Sequence, residues 1–116
     1  YRQMKELNRI NKEISNPNPD LDWFLKKTTN MYYREMDLAG GGLHEQRANE
    51  FLETMKILQK PVENMTPEEK KSLKSDIQGE RNHDRNQSSE QYMKGLKKLE
   101  RANFSRYLRA LNVLEG

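Results

Sequence analysis

Apolar positions along the chain recur at spacings of three and four residues, the signature of amphipathic helices. Tyr1, Met4, Leu7, Ile10 and Ile14 share one face of a predicted first helix, Tyr1 to Ile14. Asn16-Pro17-Asn18-Pro19 ends it, because each proline removes a backbone donor and pushes its predecessor out of the α region. The same stretch starts the next helix. Asn18 suits the N-cap, Pro19 the first helical position, and Asp20 and Asp22 the positive end of the macrodipole.

The stripe of this second helix is Leu21, Phe24, Leu25, Thr28, Met31, Tyr32 and Met36, and Gly40-Gly41-Gly42 closes it. Trp23 and Tyr33 fall off the stripe, either covered by a second neighbour or exposed for a partner. A third helix is expected from about Leu43 to Gln59, with Ala48, Phe51, Leu52, Met55 and Leu58 inward and Lys60-Pro61 at its end. Thr66-Pro67-Glu68-Glu69 is the sharpest local signal, a capping threonine, proline at the first helical position and a glutamate placed to complete a capping box. The helix behind it has only Leu73 and Ile77 as regular anchors, so it reads as short and surface-lying.

Residues 78–91 hold no aliphatic or aromatic side chain and read as a mobile polar connector, with Ser88 or Ser89 capping the last helix. From there to Leu114 runs the clearest amphipathic pattern, with Tyr92, Met93, Leu96, Leu99, Phe104, Tyr107, Leu108, Leu111 and Leu114 on one side. The expected fold is all-α, a small irregular bundle of four to five helices with a long basic amphipathic C-terminal helix, forming a single domain over residues 1–116.

Charge sharpens the last helix. Between Lys94 and Arg109 there are six basic residues and one acidic residue, a local +5 in a chain of net +3, which leaves −2 for the rest. Such a face is the footprint expected for nucleic-acid phosphates or an acidic partner. It is also what an ordinary solvated helix face looks like.

Composition adds two constraints. Leu, Ile, Val and Phe make up 22 of 116 residues, which predicts a thin core that leans on helix packing or on a partner. The absence of cysteine excludes disulfides and thiol chemistry and fits a reducing compartment, so a cytoplasmic location is expected. Because the chain opens on Tyr1 rather than Met, it is expected to be a piece of a longer protein.

No catalytic constellation emerges. His44 and His83 lie far apart, His44-Glu45-Gln46-Arg47-Ala48 lacks the second histidine of a zinc-protease helix, and Gly40-Gly41-Gly42 lacks the lysine of a phosphate-binding loop. No serine stands in a nucleophile-elbow context. The expectation is a non-enzymatic protein–protein interaction or scaffolding module without metal or cofactor. Its partner is an acidic protein surface or a second copy, contacted through Trp23, Tyr33, Lys94, Lys97, Lys98 and Arg101. The alternative is a nucleic-acid-binding accessory domain using the basic C-terminal helix.

Overall fold

The computed structural model describes residues 13–38, 43–87 and 104–115, and every element among them is helical. Four α-helices are described: α1 (Pro19–Asp37), α2 (Leu43–Leu58), α3 (Pro67–Gln87) and α4 (104–115), with a 3-10 turn at Val62–Asn64. The fold is all-α, a small helical bundle. The chain divides into two compact units, Tyr1–Met65 and Thr66–Gly116. The predicted first helix lies outside the described residues except for its last two positions, of which Glu13 is helical and Ile14 is not.

In the first unit, α1 begins as the sequence dictates. Asn18 has extended backbone angles, and its side-chain oxygen accepts from the amides of Asp20 at 2.9 Å and Leu21 at 3.3 Å. Two of the amides a helix start leaves unpaired are thereby satisfied, and Pro19 has none to satisfy. The helix packs against α2 through Leu21, Phe24, Leu25, Thr28 and Thr29, all buried. Both threonine hydroxyls donate back to carbonyls one turn earlier, Thr28 to Phe24 and Thr29 to Leu25, each at 2.8 Å. That contact lets a polar group sit in the core without an unmet donor.

The other side of this core comes from Ala48, Thr54, Met55 and Leu58 of α2, with Met65 buried beyond the 3-10 turn. Phe51 and Leu52, expected inward, are only half-buried. Asn16 locks the two helices together. Its side-chain amide donates to the carbonyls of Leu58 at 2.6 Å and Lys60 at 2.9 Å, and its side-chain oxygen accepts from the amide of Asn18. Its own backbone amide donates to Asp22 Oδ1 at 3.0 Å, and Lys26 Nζ donates to the Ile14 carbonyl at 2.6 Å. Near the far end of α1, His44 Nδ1 lies 2.6 Å from Glu35 Oε2, joining the last turns of α1 to the first turn of α2.

The second unit departs most from expectation. Thr66 and Glu69 form the full capping box: the Glu69 amide donates to Thr66 Oγ1 at 3.1 Å and the Thr66 amide to Glu69 Oε1 at 2.9 Å. Leu73 and Ile77 are fully buried, as their spacing implied. Yet α3 is neither short nor succeeded at once by a connector, for it continues through 21 residues to Gln87. Lack of apolar residues over 78–87 removes a reason to be buried, not a reason to be helical. No proline interrupts the stretch, and one glycine costs only about 1 kcal/mol. Arg81 anchors this polar half, its guanidinium 5.7 Å from the centre of the Phe104 ring on α4.

Of the long C-terminal helix expected from Ser88, the structure describes only α4, residues 104–115, about 12 residues. Residues 88–103 lie outside the described part. Within α4, Tyr107, Leu111 and Leu114 of the predicted stripe are buried and Phe104 is half-buried, whereas Leu108 is 45% exposed and Ala110, outside the predicted stripe, is buried.

Candidate interaction surface

The apolar face of α1 is longer than its cover. Its buried positions stop at Thr29. Tyr32 and Met36 continue the same line at helical spacing, but Tyr32 is only half-buried and Met36 is 46% exposed. Leu38, which caps the helix, is 57% exposed. The sequence stripe therefore named the right face, but the expectation that Met31, Tyr32 and Met36 are core is corrected. Periodicity tells which way a side chain points, not how far the opposite wall extends.

Of the two residues proposed as partner contacts on this helix, neither is fully covered. Trp23 is half-buried, its ring centre 6.5 Å from that of Phe24 at a 44° tilt, so one edge rests on a core side chain. Tyr33 is also half-buried and meets Tyr32 edge-on, with ring centres 5.2 Å apart. Ten residues of helix separate Trp23 from Tyr33, about 15 Å along the axis and about 80° around it. They are two separate positions on one helix rather than one pocket.

The other four proposed contacts, Lys94, Lys97, Lys98 and Arg101, lie outside the described residues. The described end of the basic segment carries Arg106 and Arg109, both exposed on α4.

Comparison with family models, curated proteins and solved structures gives no match.

The chemistry here is one of surfaces. Among the described residues, no three His, Cys, Asp or Glu side chains converge where they could hold a metal ion. His44, one of two histidines, is engaged with Glu35 across the helix pair. The acids at the start of α1 also have structural work, Asp22 receiving the Asn16 amide and lying 3.5 Å from Lys26 Nζ. No described helix is long and apolar enough to cross a membrane. Met36 and Leu38 are exposed apolar side chains that sequence reasoning did not single out. Their signal was present in the position of Met36 at the end of a stripe beside a glycine triplet.

Proposed function

We propose that the chain is a non-catalytic helical module for protein–protein interaction or scaffolding in the cytoplasm. The observation that supports this best is the uncovered end of α1, where Tyr32 and Met36 extend the apolar face past its last buried position. Exposed apolar side chains scattered singly are ordinary, but a half-buried tyrosine and an exposed methionine one turn apart on the line of the core stripe offer a partner a continuous apolar face. Tyrosine and methionine are also the residues that interfaces favour, one rigid and amphipathic, the other adaptable. Trp23 and Tyr33, half-buried on the same helix, add aromatic contact area at its flank.

A photo-crosslinking side chain at position 36 tests the reading in the protein's native host. The expected result is one dominant crosslinked protein, whether a second copy or another chain, competed away by the purified chain. A crosslinker at exposed Glu63 should give no such product. If position 36 behaves like position 63, the reading fails.

A second reading, nucleic-acid binding through the basic C-terminal segment, draws on exposed Arg106 and Arg109. It requires binding to an oligonucleotide that weakens steeply with salt and is abolished by Lys97→Glu with Lys98→Glu.

A further inference from the structure

The uncovered end of α1 carries the most accessible sulfur among the described residues. The chain holds six methionines and no cysteine, so thioethers are its only sulfur and no thiol of its own competes for an oxidant. Four of the methionines lie among the described residues, and the fold treats them unequally. Met55 is 5% exposed and Met65 6%, both in the core of the first unit, whereas Met36 is 46% exposed. Met31 is half-buried and stands five residues before Met36, about 140° away around α1.

Oxygen transfer to a thioether requires that a hydroperoxide reach the sulfur, so exposure sets the order of reaction. Met55 and Met65 react only as often as local opening uncovers them, while Met36 needs no opening. Met36 also stands where a change of chemistry matters, one turn beyond Tyr32 on the line of the core stripe. As a thioether it is a flexible apolar side chain, and as a sulfoxide it is a polar hydrogen-bond acceptor. Buried in an apolar contact, the sulfoxide oxygen loses water without gaining a donor.

We propose that Met36 is a redox switch on this face. Oxidised by a hydroperoxide, it closes the face to an apolar partner, and a thiol-dependent methionine sulfoxide reductase opens it again. The oxidation transfers one oxygen atom from the peroxide to sulfur and releases water or an alcohol. The reverse step takes two electrons from two thiols, which leave as a disulfide while the oxygen leaves as water. Because the chain has no cysteine, both thiols come from outside it. The switch rests on the docking reading, since it needs a contact to control.

Limited peroxide treatment of the full chain, followed by tryptic peptide mass spectrometry, tests the selectivity. Cleavage after Arg34 puts Met31 and Met36 on separate peptides. The Met36 peptide should gain an oxygen atom about tenfold faster, or more, than the peptides holding Met55 and Met65. In extracts of the native host, a photo-crosslinking side chain at position 32 then reads the same face with Met36 intact. Its product should weaken about tenfold after oxidation, return after treatment with the reductase and a dithiol, and persist through oxidation in Met36→Leu. Met36→Gln, a polar side chain of similar length, should weaken the product without peroxide, with helical circular dichroism unchanged. Oxidation of Met36 no faster than of Met55 and Met65 would overturn the proposal, as would a crosslink that oxidised Met36 leaves undiminished. A reduced chain that forms no competable crosslink from position 32 sinks the docking reading itself, and the switch with it.

Discussion

The side-chain amide of Asn16 donates to the carbonyl of Leu58, 42 positions away, at 2.6 Å, and shares a second hydrogen bond with Lys60. Leu58 is the last residue of α2, where a helix leaves its carbonyls without intrahelical donors, and Lys60 lies two residues beyond it. One buried asparagine therefore closes α2 and fixes the chain as it enters α1. Asn16→Ala would leave buried carbonyls unpaired and should cost about 1–3 kcal/mol. Asn16→Asp should cost at least as much, since it places a carboxylate against two carbonyl oxygens in place of a donor. Urea denaturation monitored by circular dichroism measures both. If either variant stays within about 0.5 kcal/mol of the parent, the clamp does not hold the helix pair.

How much of the fold was legible in the sequence depends on the range of the interactions involved. The Asn18-Pro19 start and the Thr66–Glu69 box are complete within four residues, and both stand as read. The stripes of α1 and α4 named their buried faces correctly. Asn16 read only as part of a helix breaker, because its partners are distant in sequence. The length of α3 was missed because residues 78–87 offer no apolar stripe to follow, although nothing in them breaks a helix. For the candidate site, Trp23 and Tyr33 stood out by falling off a stripe, whereas Met36 was hidden by fitting one.

Gly79 sits inside α3, and a Cβ built there meets nothing within 4 Å. Glycine in a helix interior carries a larger entropic cost of folding than alanine without a packing return at this position. Gly79→Ala should therefore stabilise the chain by about 0.5–1 kcal/mol. A higher urea midpoint with an unchanged m-value is the expected result. A destabilised variant would mean that the helix does not run through position 79.

The capping box of Thr66 and Glu69 opens the second compact unit. Thr66→Ala removes the acceptor for the Glu69 amide and should cost about 1 kcal/mol, whereas Thr66→Ser should cost little. Glu69→Ala should lose less than Thr66→Ala, because the amide it strands is exposed and water replaces the carboxylate. The double variant should fall short of the sum, since the two bonds act on one turn. Additive losses would show that the two contacts are independent rather than one reciprocal cap.

Two residues on α1 separate partner contact from packing. Trp23 rests on buried Phe24, so Trp23→Ala should cost about 1–2 kcal/mol and confound any binding measurement with a loss of fold. Met36 is nearly half exposed past the last buried position of its face, so Met36→Glu should move stability by about 0.5 kcal/mol or less. It places a charge on the uncovered apolar face, however, and desolvating that charge in an interface should cost a bound partner several kcal/mol. If the patch joins two copies of the chain, light scattering should show a mass that rises with concentration in the parent and stays monomeric in Met36→Glu. If the partner is another protein, the same variant should abolish its co-purification while the melting temperature holds. A Met36→Glu variant that melts well below the parent would instead place Met36 in the core and remove the patch.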